Sequence, residues 1–274
     1  IRGDDHVENT YRHLALFRAL GAEPPKYAHL PMIVNAQGKP YSKRDGAAYV
    51  GEFRDRGYLP GALFNYLALL GWSPGDDREI MSREELVKAF TLDRVRSAPS
   101  QMDIKKLDWM NGAYMRSLPK SELEKGCRSV LEQKYLWPVP GGIEYLARVV
   151  EAMGERLHFF TDIADHASYF FTEDFAFDEK AVNKRLKKEG ALESLRALSE
   201  RFAALEPFNA TTSEQSLRAL AEQRGEGAGA LVHPMRVAVS GTSEGPSLFH
   251  MLEVLGKERV LARIGRVLAR FTEG

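Results

Sequence analysis

A short loop near the start of the chain places a hydroxyl group beside two cations. An apolar run at 32–34 (Met-Ile-Val) and turn-forming residues at 35–38 (Asn-Ala-Gln-Gly) precede it, which predicts a strand that ends in a turn. Ser42, Lys43 and Arg44 follow on the predicted loop. A lysine on a flexible stem can follow a phosphoryl group as charge develops on it, so the loop suits a polyphosphate. An ordinary solvated basic loop also accounts for these residues.

The sequence around this loop resembles a known family. Residues 38–47 (Gly-Lys-Pro-Tyr-Ser-Lys-Arg-Asp-Gly-Ala) are similar to the K-M-S-K-S loop of class I aminoacyl-tRNA synthetases in its glutamyl form, G-K-x-L-S-K-R-D-G-A. Further blocks at 1–10, 57–60, 65–72 and 106–112 resemble the same family in the same order. The C-terminal half matches more loosely. The chain is identified as a member of the bacterial-type glutamyl-tRNA synthetases, as a C-terminal part that lacks the N-terminal half of the catalytic domain.

The resemblance implies a reaction in two steps, in which ATP with Mg²⁺ and L-glutamate form glutamyl-adenylate and tRNA(Glu) then accepts the glutamyl group. Lys43 matches the catalytic lysine that stabilises the triphosphate in the transition state, and Ser42 and Arg44 match its ATP-binding neighbours. Pro40 departs from the pattern, because it stands where the archetypal loop has its first lysine. The role of Lys43 is unaffected by this change.

Three residues close to the start of the chain complete the part of the active site that the resemblance covers. Arg2 matches the arginine that receives the carboxylate of the amino-acid substrate, and Asp5 and His6 fall where the family contacts ATP. The seven histidines include no H-I-G-H-like pair, which the family uses to bind the ATP phosphates. We therefore expect residues 1–274 alone to be inactive and to hold neither ATP nor a metal. The start at Ile1 has the character of an artificial boundary or a processed end.

For anticodon reading the resemblance carries fewer residues. Arg156 falls where enzymes selective for glutamate tRNA place an arginine that reads the third anticodon base. Arg236, Pro246 and Leu248 fall where the family packs against the other anticodon bases. Without the family resemblance, these residues could equally be ordinary exposed arginines and a turn that precedes a helix.

Three other functions can be compared with this one. A stand-alone tRNA-binding module could keep these helices and lose catalysis. A glutaminyl-tRNA synthetase would share the catalytic fold, but we expect β-barrel anticodon domains there, and the C-terminal half shows helical spacing without alternating strands. The tRNA-modifying relative without an anticodon domain is disfavoured, because more than half of the chain follows the lysine loop.

The overall composition excludes several classes of protein. The charges balance at 38 Lys+Arg and 38 Asp+Glu, so nucleic-acid binding has to come from local patches. The single cysteine, Cys127, excludes an internal disulfide framework and suits a reducing cytoplasm. No apolar run approaches the ~20 residues that a membrane span needs. We expect a cytoplasmic monomer that does not contact a membrane.

The spacing of apolar residues predicts a mainly α fold. A short α/β remnant of a Rossmann-type catalytic domain is expected at 1–48, and an α-helical stem-contact fold at 49–119. Two α-helical anticodon-binding subdomains are expected at 120–178 and 179–274. Candidate first residues or caps of helices are Thr10, Pro60, Ser82, Ser121 and Thr212.

The most regular pattern is that of the last helix, predicted over 257–271. Four arginines, Arg259, Arg263, Arg266 and Arg270, follow one face at steps of four, three and four. This stripe is expected to be a solvated face, with phosphate contact as the alternative.

Overall fold

The computed structural model describes residues 1–272 and divides the chain into two compact units. Unit 1 is Ile1–Ser117, and unit 2 begins at Leu118. Within the described residues the secondary structure consists of helices and four strands of two residues each, so the mainly α prediction is confirmed. No described helix combines the length and the apolar character that crossing a bilayer requires.

Unit 1 carries all four strands. Its strands are β1 (Arg2–Gly3), β2 (His29–Leu30), β3 (Ile33–Val34) and β4 (Ser100–Gln101), which pair in parallel as β1 with β2 and β3 with β4. Its helices are α1 (Val7–Ala19), α2 (Val50–Asp55), α3 (Pro60–Leu69), α4 (Arg83–Ala89) and α5 (Ile104–Ser117).

Two of the predicted helix starts in unit 1 are confirmed. Helix α3 begins at Pro60, where the missing N–H costs no helical hydrogen bond. Before α4, the Ser82 hydroxyl accepts from the Glu85 amide at 3.1 Å, and the Glu85 carboxylate accepts from the Ser82 amide at 2.7 Å. This capping box satisfies amides that the first turn leaves free.

The prediction for helix α1 is wrong in two respects. The helix begins at Val7, so Thr10 lies inside it, and the Thr10 hydroxyl bonds the carbonyl of His6 at 3.2 Å instead of capping. The near-helical spacing of Leu16 and Leu20 predicts that they pack on a sheet, but they are 61% and 79% exposed. The physical reason is the size of the sheet, since β1 and β2 contribute only two residues each.

The aromatic side chains of unit 1 differ in their environments. Trp72 and Tyr58 are buried, as the sequence predicts for apolar runs. Trp109 remains 44% exposed. The core is also held by polar side chains, because the buried Asn65 accepts a hydrogen bond from the Met81 amide at 2.8 Å.

Unit 2 is built from helices around one apolar core. The helices are α6 (Lys120–Gln133), α7 (Gly142–Met153), α8 (Asp162–Asp165), α9 (Glu179–Ala181), α10 (Ala191–Ala203), α11 (Ala210–Gln223), α12 (Gly229–Ser240), α13 (Leu248–Leu255) and α14 (Lys257–Thr272). A π-helix, Val182–Leu186, continues α9, and 3-10 turns lie at Gly154–Arg156 and Ser168–Phe170. Cys127 is fully buried in α6, which raises its pKa to about 12, so it is a packing residue.

Two capping predictions in unit 2 are wrong. Helix α6 begins at Lys120, which places Ser121 inside the first turn. Helix α11 is capped by Asn209, whose side chain accepts from the Thr212 amide at 2.9 Å while the Thr212 hydroxyl accepts from the Asn209 amide at 3.1 Å. Thr212 is therefore the inner partner of a capping box and not its first residue.

The arginine stripe of α14 is not a solvated face. The side chain of Arg263 is fully buried, and its guanidinium donates to the Glu173 carboxylate at 2.7 Å and to the Tyr169 carbonyl at 2.7 Å. Arg259 and Arg266 pair with the same carboxylate. One carboxylate from outside the helix thus holds three of the four guanidiniums against the protein, although its single negative charge offsets only one of theirs.

These contacts also set the ionisation of Glu173. Partial burial alone would raise its pKa, but hydrogen bonds from Arg263 and Arg259 outweigh burial and lower the pKa to about 2 from an ordinary 4.5. A carboxyl whose pKa is lower in the folded state stabilises the fold above pH 4.5, and this contribution is lost as the pH falls toward 2.

We expect Glu173→Gln to lower the free energy of unfolding by about 3 kcal/mol, because it leaves the buried Arg263 without a counter-charge. Glu214→Gln is the matched control, since Glu214 forms an exposed pair with Arg218 and should contribute less than about 0.5 kcal/mol. Urea unfolding at neutral pH measures both variants. Equal losses for the two would contradict this role, as would a Glu173→Gln effect that does not shrink between pH 4.5 and 2.

Candidate functional site

The lysine loop predicted from the sequence forms a short hairpin in unit 1. Strand β3 leads into a turn at Gly38, whose φ of +72° favours glycine. The Asn35 amide then donates to the Lys39 carbonyl at 2.8 Å, and the Tyr41 amide to the Ile33 carbonyl at 2.9 Å. These bonds fix where the cationic part of the loop begins.

One carboxylate organises the rest of the loop. Asp45 accepts hydrogen bonds from the Asn35 side-chain amide at 2.7 Å and from the backbone amide and hydroxyl of Ser42, both at 2.9 Å. The bonds from Asn35 and then Ser42 lower the pKa of Asp45, which keeps it ionised. Asp45 was not predicted as a site residue, although it lies inside the motif.

The cations of the loop point to solvent. Lys43 and Arg44 are exposed, and neither forms an ion pair with a carboxylate of residues 1–272. The Lys43 ammonium lies 5.7 Å from the centroid of the Tyr49 ring, a distance that permits a cation–π contact. The loop therefore presents two unneutralised cations on a hydrogen-bonded frame, which fits a triphosphate.

The predicted residues at the start of the chain lie around strand β1. Asp5 and His6 are exposed and 3.7 Å apart. Arg2 is half-buried, with its guanidinium 3.0 Å from the Nδ1 atom of His13 and 5.5 Å from the centroid of the Tyr27 ring. Histidine and tyrosine hold this arginine without neutralising it, so its charge remains available to a carboxylate.

Unit 2 brings together residues that are far apart in the sequence. Arg156, on the 3-10 turn after α7, Tyr169 and Gly245 line one cavity of about 520 Å³. A β-carbon placed on Gly245 would lie 3.1 Å from the Nη1 atom of Arg236 and 3.3 Å from the Tyr169 hydroxyl, so Arg236 reaches the same place from α12. The φ of +140° at Gly245 also favours glycine.

Two polar atoms at this cavity have no partner among the described residues. The Tyr169 hydroxyl and the Nη1 atom of Arg236 are both buried without a hydrogen bond. Buried polar groups are almost always satisfied in folded proteins, so a pair of exceptions indicates a place that a ligand completes. Tyr169 could not be predicted as a site residue, because an unsatisfied hydroxyl depends on contacts made by distant segments.

Three side chains at the cavity can donate hydrogen bonds to a ligand, although the carboxylates of Asp165 and Glu244 also line it. Burial raises the pKa of Tyr169 despite the nearby charges of Arg236 and Arg156, so its hydroxyl stays protonated. Burial lowers the pKa of Arg236, as does the charge of Arg156, yet a guanidinium remains charged near neutral pH. The site offers donors from three side chains and suits a planar group rich in acceptors.

The last two predicted anticodon residues are buried. Pro246 precedes α13, and Leu248, 3% exposed, begins that helix within the core of unit 2. Their side chains shape the segment that carries Gly245. Among residues 1–272, no group of three His, Cys, Asp or Glu side chains could hold a metal ion.

Comparisons with known proteins agree with both parts of the chain. The family model for the catalytic domain of class I tRNA synthetases (E and Q) matches residues 1–109, and the model for an anticodon binding domain matches residues 130–268. The chain thus combines part of a class I tRNA synthetase catalytic domain with an anticodon-binding domain.

Individual relatives indicate which kind of tRNA synthetase the chain is similar to. The chain is 40% identical over 268 residues to glutamate–tRNA ligase 1 of Caldanaerobacter subterraneus subsp. tengcongensis, covering 98% of this chain and 56% of that protein. It is 41% identical over 269 residues to the Moorella thermoacetica glutamate–tRNA ligase, covering 97% and 55%. A crystal structure of a glutamate tRNA ligase from Elizabethkingia meningosepticum in complex with its amino acid superposes with a TM-score of 0.81 at 30% identity, over 98% and 56% of the two chains.

The chain belongs to the glutamate–tRNA ligase family. The resemblance found in the sequence is confirmed. The chain spans about half of the length of the curated relatives it matches.

We expect Asp45→Ala to speed amide hydrogen exchange across residues 38–46 severalfold, because it removes three hydrogen bonds that close the loop. Asp55→Ala is the control, as Asp55 is an exposed carboxylate of unit 1 whose partner is the adjacent Arg54. Exchange followed by mass spectrometry distinguishes them. Unchanged protection of the loop in Asp45→Ala would show that Asp45 does not order it.

Proposed function

We propose that the chain is the tRNA-binding part of a glutamate–tRNA ligase, which forms glutamyl-adenylate from ATP and L-glutamate and transfers the glutamyl group to tRNA(Glu). The observation that carries this proposal is the cavity of unit 2. Arg156, Arg236 and Gly245 come from separate segments and meet there around two buried polar atoms that have no partner within residues 1–272. Such a cavity is suited to one unstacked base of a single-stranded loop.

Arg156 is proposed to select the tRNA. The anticodons for glutamate and glutamine differ at the third base, which is cytosine in one and guanine in the other. An arginine can donate to the O2 and N3 atoms of cytosine, but guanine offers acceptors too. The discrimination therefore needs a cavity fitted to the smaller pyrimidine, whose walls include Tyr169 and Gly245.

Unit 1 is proposed to supply part of the active site. Lys43 stabilises the charge that develops on the triphosphate, with Ser42 and Arg44 beside it, while Arg2 receives the carboxylate of glutamate. Asp5 and His6 contact ATP. Mg²⁺ would arrive with the ATP phosphates, since the described residues offer no cluster of three ligands.

The organisation into four parts, at 1–48, 49–119, 120–178 and 179–274, remains part of this proposal. The first holds the lysine loop, the second contacts the tRNA stem, and the last two form the anticodon-binding region. The proposed compartment is the cytoplasm, where the buried thiol of Cys127 stays reduced.

We expect the chain to bind tRNA(Glu) more tightly than tRNA(Gln), and Arg156→Gln to reduce that preference by roughly tenfold or more. Arg218→Gln removes the same charge at an exposed position away from the cavity and is the control. Filter binding of both tRNAs to each protein gives the ratio. A ratio that Arg156→Gln leaves unchanged refutes the selecting role, and a folded chain that binds no tRNA at low salt refutes the proposed function.

Lys43→Ala, introduced into a protein that also carries the rest of the relatives' length, should slow adenylate formation about a hundredfold, or ~3 kcal/mol. ATP binding should change much less, because a cation directed at developing charge acts mainly in the transition state. Lys26→Ala is the control, since Lys26 is an exposed lysine of unit 1 outside the loop. ATP–pyrophosphate exchange measures the rate. A normal rate with a raised KM for ATP would reduce Lys43 to a binding residue.

A further inference from the structure

A second cavity of unit 2, of about 360 Å³, is basic. It lies where the π-helix Val182–Leu186 and Lys188, two residues after it, approach the start of α12. Its titratable lining residues are Lys184, Arg185, Lys188 and His233, and the remaining lining residues are glycine, alanine and proline. We call it the basic cavity.

The charges of the basic cavity are not neutralised within the protein. No carboxylate of residues 1–272 forms an ion pair with Lys184, Arg185 or Lys188. The Nε atom of Arg185 is buried and has no hydrogen-bond partner among the described residues. An anion that drew this guanidinium toward the cavity would relieve that deficit.

The pKa of His233 indicates that the electrostatic field at the basic cavity is positive. Burial lowers its pKa, and so do the positive charges of Arg185, Arg236 and Lys184. The groups that act on this histidine are therefore all cationic. Arg236 also reaches the cavity that Arg156, Tyr169 and Gly245 line. The positive field therefore extends from one cavity to the other.

The backbone adds to this field. Gly227, Gly229 and Ala230 line the basic cavity at the N-terminus of α12, a helix of 12 residues, and no side chain caps it. The helix dipole favours an anion at this end, although the Ala230 and Leu231 amides already donate to the carbonyls of Gly227 and Ala228 at 2.9 and 3.1 Å. The glycines leave room for a ligand to approach the backbone.

The contrast with the arginine stripe of α14 shows where unit 2 has charge available. Arg259, Arg263 and Arg266 share Glu173, so their guanidiniums are held against the protein, although one carboxylate offsets only one of the three charges. Lys184 and Lys188 are exposed and unpaired within residues 1–272. An external polyanion meets uncompensated charge at the basic cavity.

We propose that the basic cavity binds a backbone phosphate of the RNA whose anticodon base enters the cavity of Arg156 and Tyr169. This inference rests on the proposed function. His233 and Arg236 lie three residues apart on α12 and so on neighbouring positions of one helix face, which connects the two cavities. Three cationic side chains and a single ring, that of His233, line the cavity, so the lining provides more positive charge than stacking surface, which favours phosphate over a base.

The test compares two double variants of the 274-residue chain. Lys184→Ala with Lys188→Ala removes two exposed cations of the basic cavity, and Lys180→Ala with Lys187→Ala removes two exposed cations nearby that do not line it. Affinity for tRNA(Glu) and tRNA(Gln) is measured over a salt series, and far-UV circular dichroism confirms that each variant is folded.

Each lysine–phosphate contact steepens the fall of log affinity with log salt by about 0.7 to 0.9. One contact therefore raises the affinity roughly fivefold when the salt is lowered from about 1 M to ~0.1 M. The cavity variant should therefore bind both tRNAs about 25-fold more weakly at ~0.1 M salt. Its slope should be shallower by about 1.5, with the ratio of the two tRNAs unchanged. The control variant should keep most of the slope.

Three outcomes would overturn the inference: an unchanged slope in the cavity variant, an equal loss in the control variant, or a loss that alters the ratio of the two tRNAs. If the wild-type chain binds tRNA and the cavity variant has the same salt slope as the wild type, the phosphate site is refuted and the proposed function stands. A folded wild-type chain without affinity for tRNA at low salt removes the proposed function as well.

Discussion

The pairing of Glu173 with the buried Arg263 is the interaction on which unit 2 depends. A guanidinium taken out of water is tolerated only when a counter-charge and further acceptors replace its hydration. Arg263 finds these in Glu173 and in the carbonyls of Tyr169, Thr172 and Val239. The carbonyls belong to the 3-10 turn that carries Tyr169, to Thr172 shortly after it, and to the last turn of α12. The same bonds that satisfy the charge therefore position Tyr169, which lines the cavity of Arg156.

This arrangement separates satisfied from unsatisfied polar groups. Behind the cavity, Arg263 uses its donors on the protein, whereas at the cavity the Tyr169 hydroxyl and an Arg236 nitrogen remain without partners in the described residues. Leaving such atoms buried costs free energy, which a bound acceptor would return. Donors held in place before binding lose little freedom when a base arrives. The lysine loop follows the same principle, because Asp45 orders the frame and leaves Lys43 free.

The parts of this account that depend on local signals could be predicted from the sequence. The loop at 38–47, the mainly α fold, the start at Pro60 and the Ser82 capping box are of this kind. Helix starts were misplaced at Thr10, Ser121 and Thr212 because a hydroxyl residue suits the first turn as well as the cap. The arginine stripe was misread because its counter-charge lies on another segment. Only the family resemblance, not residue spacing, could suggest that Arg156 and Arg236 act together.

We propose that unit 2 receives an anticodon base in the cavity of Arg156 and Tyr169 and an adjoining phosphate in the basic cavity. Amide hydrogen exchange of the 274-residue chain with and without tRNA(Glu) tests it most directly. We expect bound tRNA(Glu) to slow amide exchange at 154–158, 182–188 and 240–247. The protection at 154–158 should be lost when the third anticodon base is changed to guanine. Protection confined to unit 1, or protection of unit 2 that ignores the anticodon, would contradict it.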